Sequence, residues 1–234
     1  MKLHNLNRME MVKLLHSLKG EIDEKPLEII SKSERSKHDT VVPLFLMRYE
    51  KRKQKKDYGF STNEIVELGN LCELTSLKPS AIQNWIKRDI KDLIGHPELG
   101  KKYSVDQVVI LLIVRDLKSI YDFDTIRNIL KLLFNNIDDR SDDVVSPIDF
   151  YEGCARLLSI MLSEEKNYSL KDNEITIILK KEAEQLAGLF PHLNNEDWEM
   201  VKELTAATVL SILCFHLQVS AQSIVQHALS DRPM

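Results

Sequence analysis

Five side chains in the stretch PSAIQNWIKRD, residues 79–89, have types and spacing suited to reading a polymer of bases. At helical spacing Ser80, Gln83, Asn84, Lys87 and Arg88 share one face, while Ala81, Ile82, Trp85 and Ile86 share the opposite one. A solvated helix face usually mixes Glu with Lys. This face holds amides and cations, with its single acid, Asp89, at the very end. A carboxamide such as Gln83 or Asn84 pairs a donor with an acceptor and fits the N6/N7 edge of adenine. Lys87 and Arg88 can reach guanine edges or phosphates. Ser80 lies at the helix start, where backbone N–H groups favour an anion.

Such a face needs a platform beneath it. The preceding LGNLCEL offers Leu68, Leu71, Cys72 and Leu74, and the link TSLK turns Leu77 inward, so the pair reads as a helix-turn-helix. An amphipathic helix pair alone more often serves as core scaffolding. The next stretch narrows the reading. Gly95, Pro97 and Gly100 break the helix and allow a tight excursion over 95–103, which ends in Lys101, Lys102 and Tyr103. Two cations on a turn beside a helix-turn-helix can act as a wing that clamps the phosphate backbone. Trp85 and Tyr103 are expected to pack beneath the reading surface.

The succession LGNLCELTSLKPSAIQNWIKRD, GKKYSVDQVVILLIVRDL and YDFDTIRNILKLL resembles the winged-helix DNA-binding core of the MerR-type regulators. It also resembles an uncharacterised bacterial domain-of-unknown-function family built on that core. The resemblance covers residues 61–134. It implies a sequence-specific DNA-binding regulator that acts as a dimer on a palindromic site. Ser76 stands in the turn where the MerR-type family usually has Gly, and Asn84 where it favours an aromatic.

The remaining chain reads as helical. No segment sustains period-two alternation and no repeat recurs at solenoid spacing. A helix is expected from Asn7 to Gly20, capped by Asn7 and Glu10, and a charged linker over 21–40. A half-apolar, half-basic helix follows 41, and Ser61/Glu64 and Ser104/Gln107 read as capping boxes. Ser146-Pro147 opens a helix to 165, with others over 170–189 and 195–229. The expectation is an all-α fold: an N-terminal helix and linker over 1–40, a winged helix-turn-helix domain over 41–135, and a C-terminal helical bundle over 146–234. That bundle is assigned to dimerisation or to a small-molecule or protein effector.

Charge supports the division. The chain carries −4 overall, yet residues 41–119 hold 14 basic and 10 acidic side chains, while residues 120–234 hold 10 basic and 19 acidic. The middle suits a polyanion and the end a basic partner. The run RYEKRKQKKD supplies Arg48, Lys51, Arg52, Lys53, Lys55 and Lys56, read either as the solvated end of a helix or as a basic arm on phosphates.

Other chemistry finds little footing. The loop DDRSDDVVSPID has Arg140 and Asp143 where a calcium loop needs a ligand and a glycine. The seven His form no metal spacing, and no phosphate loop, nucleophile elbow or paired carboxylates appear, so no enzyme, cofactor or metal is expected. Met161, Leu162, Trp198 and Met200 read as core, or else as the lining of a small-molecule pocket. Three Cys, far apart among apolar residues, suit reduced buried thiols. With no secretory signal and no apolar run of spanning length, a bacterial cytoplasmic protein that engages double-stranded DNA is expected, and no membrane. The alternative is a non-catalytic adaptor that uses the same scaffold to bind proteins.

Overall fold

The computed structural model describes residues 6–33, 42–52, 58–73, 76–135, 140–163 and 174–230. In chain order the helices are α1 (Arg8–Lys19), α2 (Pro26–Lys32), α3 (Leu44–Glu50), α4 (Thr62–Gly69), α5 (Pro79–Asn84), α6 (Lys91–Ile94), α7 (Val105–Leu117), α8 (Phe123–Phe134), α9 (Pro147–Met161), α10 (Glu174–Ala183) and α11 (Asn195–Ser230). The fold is all-α. Among the described residues extended pairing is confined to three isolated bridges, Leu6 with Cys72, Phe60 with Tyr103 and Leu99 with Lys102.

Helix starts follow local chemistry. Asn7/Glu10, Ser61/Glu64 and Ser104/Gln107 each form a reciprocal capping box, satisfying N–H groups that a helix start leaves orphaned. Asp122 and Ser146 cap α8 and α9, the latter with Pro147 in the first turn. Three expectations are revised. The charged stretch 21–40 contains a helix, α2, because Pro26 starts it and Pro26, Ile29 and Ile30 are buried. The helix before the turn stops at Gly69, so Leu71, Cys72 and Glu73 lie beyond it, while Leu74 falls outside the described residues. The stretch 79–89 is α-helical only to Asn84 and widens into a π-helical turn over Trp85–Asp89.

Helix α9 is central and packs against α1, α7, α10 and α11, while α2 lies on α1 and α3. Buried side chains from α1, from α7 and from the C-terminal helices form one continuous core. The 36-residue α11 buries Val201, Thr205, Val209 and Ile212 against that core and then runs outward. From Ala221 to Ser230 every residue is exposed, and Leu217, Ile224, Val225 and Leu229 present apolar side chains to solvent. By length and composition alone this helix could cross a membrane, although its first half is a core element.

Candidate nucleic-acid interface

The turn ahead of α5 is held by one side chain. Asn70 accepts from the Leu77 N–H (2.7 Å) and donates to the Leu77 carbonyl (3.1 Å), which drives Leu77 inward. Gly69 makes room, since a Cβ there would lie 2.4 Å from Leu77 Cδ1. Lys78 is extended and Pro79 starts the helix. Ile82 is fully buried, and Trp85 meets Phe123 of α8 edge-on at 6.4 Å. At the far end Arg127 Nε donates to the Asp89 carbonyl (2.9 Å). The element is thus pinned along its apolar side. Ser80, Gln83, Asn84, Lys87 and Arg88 are all exposed, and none has a hydrogen bond or ion pair among the described residues.

The excursion that follows closes as a small hairpin. The Leu99 and Lys102 backbones exchange hydrogen bonds at 3.0 and 3.2 Å, and Gly100 takes the positive φ of 71° that the tip requires. Phe60 and Tyr103 exchange a second pair at 2.8 and 2.9 Å. Gln107 holds the base. Its buried amide donates to the Ile94 and His96 carbonyls (2.7 Å each) and accepts from the Ser104 and Glu98 N–H groups. Tyr103 is partly buried against the core, as its packing role anticipated.

The hairpin separates the two lysines. Lys101 is exposed at the tip with no partner among the described residues. Lys102 turns back to Glu64, 3.3 Å away, and lies 5.7 Å above the Tyr58 ring. Burial works against the charge on Glu64, but the Ser61 N–H and hydroxyl, with Lys102, hold its carboxyl below the usual range. Burial and the adjoining Glu64 carboxylate push the Tyr58 phenol up. Lys102 therefore contributes to the scaffold as well as to the surface charge.

Part of the basic arm converges on the same place. Arg52 stacks over Tyr58 at 4.7 Å and Arg48 approaches Glu64 at 3.9 Å, so α3 and the hairpin form one positive surface. Lys51 is exposed beside them, and Lys53, Lys55 and Lys56 lie outside the described residues. The structure brings arm and hairpin together around Tyr58, which sequence spacing did not reveal.

The other sequence candidates disperse. Met161 is buried and Leu162 exposed, while Trp198 packs on Phe190 with ring centroids 5.8 Å apart. Arg140 turns to Glu98 (3.5 Å) and Asp143 (3.8 Å) in the acidic loop. Cys72 and Cys154 are buried thiols, whereas Cys214 is exposed on the outward half of α11, contrary to the expectation for it.

Sequence reading missed a buried ionic cluster beneath the turn. Arg8 makes a two-pronged pair with Asp116, at 2.6 and 3.0 Å, and also reaches the Tyr151 hydroxyl at 3.3 Å. Arg115 binds the same carboxylate through Nε at 2.8 Å. The Asp116 carboxylate keeps the Arg8 guanidinium charged against the cost of burial. A signal existed: Arg8 sits at the spacing of the apolar stripe formed by Met11, Leu15 and Leu18.

A protein-family model described as a domain of unknown function, DUF1836, matches residues 41–154, which include α3 to α8 and the start of α9. The chain is 57% identical over 226 residues to a Bacillus subtilis (strain 168) protein described as uncharacterized protein YkrK, covering 94% of this chain and 97% of that relative. No solved structure matches. At that identity and over nearly the whole of both lengths, the chain belongs to the same family as this bacterial relative and carries the DUF1836 domain within it.

Proposed function

We propose that this protein is a sequence-specific DNA-binding transcriptional regulator that works as a homodimer in the bacterial cytoplasm. One observation carries the reading. Ser80, Gln83, Asn84, Lys87 and Arg88 stand together, exposed and without partners among the described residues, on an element fixed from behind by Ile82, Trp85 and Arg127. A rigid element bearing amides and cations is what major-groove readout needs, because base edges are read by hydrogen bonds at fixed positions. In this reading the connection Asn70–Lys78, the element 79–89 and the hairpin at Leu99–Lys102 form a MerR-like winged helix-turn-helix. Lys101, with the Arg48–Arg52 surface, supplies sequence-independent phosphate contacts.

Dimerisation has its support in α11. Leu210, Leu217 and Ile224 recur every seven residues, and Cys214, Ala221 and Ala228 fill the alternate positions. Large side chains facing small ones along one seam suit close pairing of two such helices. The exposure of Leu217 and Ile224 equally favours the second reading, an adaptor that uses this seam for another protein.

The test is selection from a random duplex pool by the full chain at near-physiological salt, beside the Arg88→Glu/Lys101→Glu variant. Both residues are exposed and have no partner among the described residues, so folding should be unaffected. The native protein should enrich an inverted repeat, with affinity falling steeply in salt. The variant should lose at least about tenfold, with a shallower salt slope, each phosphate contact removed lowering it by about one. Enrichment of nothing by the native chain would favour the adaptor.

A further inference from the structure

A cavity of about 310 Å³ opens between the turn before α5, the end of α7 and the middle of α11. That lies at the lower end of the range for small-molecule sites, roughly 300–1,000 Å³. Its walls divide into two kinds. Leu77, Ala81, Trp85, Ile212 and Phe215 make an apolar trough. Arg8, Lys78, Arg115 and Lys118 bring four cations against one carboxylate, Asp116. That carboxylate is already engaged by both arginines, at 2.6 and 3.0 Å from Arg8 and 2.8 Å from Arg115 Nε. Arg8 is buried, and its Nε has no hydrogen-bond partner among the described residues. A buried donor left without an acceptor costs stability and marks the cluster as short of negative charge.

We propose that this cavity is an effector site for a small apolar monocarboxylate. Its anionic end is held by Lys78 and Lys118, with the Arg8 and Arg115 guanidinium groups behind them, and its hydrocarbon body lies against Leu77, Trp85 and Phe215. A neutral or cationic ligand would leave the positive lining uncompensated. A second anionic group at the far end of the ligand would lie against the apolar trough, away from the cations. The position gives the ligand leverage. Ala81 and Trp85 belong to the element that carries Gln83, Asn84, Lys87 and Arg88, while Ile212 and Phe215 belong to α11. Any differential contact between ligand-bound and empty states is thus felt at once by the reading surface and by the long helix. This regulatory consequence rests on the DNA-binding reading, whereas the site itself does not.

The full chain should be titrated with octanoate and 4-phenylbutyrate, and in parallel with octanol and 4-phenylbutanol. Melting temperature and Trp85 emission, read in a Trp198→Phe background, report binding. Both carboxylates should raise the melting temperature and shift the emission saturably, at least about tenfold more tightly than the alcohols. Lys78→Gln/Lys118→Gln alters exposed side chains, although Lys118 also lies 4.4 Å over the Phe123 ring, so melting temperature is the readout for this variant; it should abolish that preference while leaving weak alcohol binding. Ala81→Phe, which fills the trough, should abolish both. Equal affinity for acid and alcohol, no saturable signal from either acid, or binding that survives Ala81→Phe with its helix content intact would each overturn the site. DNA retention is then measured with and without octanoate. Unchanged retention despite saturable octanoate binding overturns the regulatory link alone. Saturable octanoate binding by a chain that retains no DNA overturns the DNA-binding reading and leaves the site standing.

Discussion

Gln107 shows how much one side chain can organise. Its amide is fully buried and makes four hydrogen bonds, two of them to carbonyls of the segment that leads into the hairpin. Gln107→Leu keeps the volume and removes every one of these bonds. The loss should be about 1–3 kcal/mol, the cost of leaving buried polar groups unsatisfied. Hydrogen exchange at the Leu99 and Lys102 amides should accelerate more than in α9, and uniform acceleration would instead indicate global destabilisation. His16 offers a test by pH. It lies between Glu152 (3.1 Å) and Glu21 (2.5 Å), and the Glu152 hydrogen bond, with help from Glu21 and against burial, raises its pKa above the ordinary 6.5. The hydrogen bond from His16 lowers Glu152 below the ordinary 4.5. Burial opposes the charge on Glu21, yet His16 and Lys19 bring it lower as well. A raised base stabilises fully below its unfolded value, and a lowered acid above its own. The trio therefore contributes most between pH 4.5 and 6.5; the His share fades as pH rises through the folded value, and the Glu share as pH falls. Denaturant melts of His16→Gln should show a flatter stability profile across neutral pH, and a profile parallel to the native one would refute the assignment.

At the scale of elements, capping chemistry was legible and length was not. Asn7/Glu10, Ser61/Glu64, Ser104/Gln107 and Ser146-Pro147 fix helix starts through atoms a few residues apart, and all four appear where expected. Helix α2 was hidden because a charged composition outweighed Pro26, Ile29 and Ile30, whose burial depends on α1 and α3. The connection Asn70–Lys78 was read too short because Leu71 and Cys72 fit an apolar stripe. Leu6 instead claims their backbone, accepting from Glu73 and donating to Leu71 at 2.8 and 2.7 Å. All five polar side chains of 79–89 are exposed, Gln83 and Asn84 on the α-helical part and Lys87 and Arg88 on the π-helical turn that follows. The cavity beside it was invisible, since its walls come from four distant segments. Gly69 tests the connection directly. Gly69→Ala should cost about 1–3 kcal/mol by overpacking against Leu77. Adding Leu77→Val should recover part of the loss, and strict additivity in the double-mutant cycle would show that the contact does not govern the turn.

The whole molecule is one continuous core with a long arm. Leu217 and Ile224 are exposed on that arm, so Leu217→Lys/Ile224→Lys should leave helix content and melting of the body unchanged. On the proposed dimer, sedimentation velocity should move from dimer to monomer, and an unaltered sedimentation coefficient would remove α11 from the proposed interface. The acidic excess of residues 120–234 was legible as charge, but its division between α10, α11 and the loops needed the fold. One tie within this body has a consequence for synthesis. Arg8 finds its counter-ion at Asp116 and a further partner at Tyr151, while Leu6 pairs with Leu71 and Glu73. During synthesis α1 emerges before α2, α7 and α9, the helices it packs against, and α2 reaches it well ahead of the other two. Until α7 and α9 follow, the apolar face of α1 that carries Met11, Leu14, Leu15 and Leu18 is covered in part only, and a holding chaperone should find an early grip there.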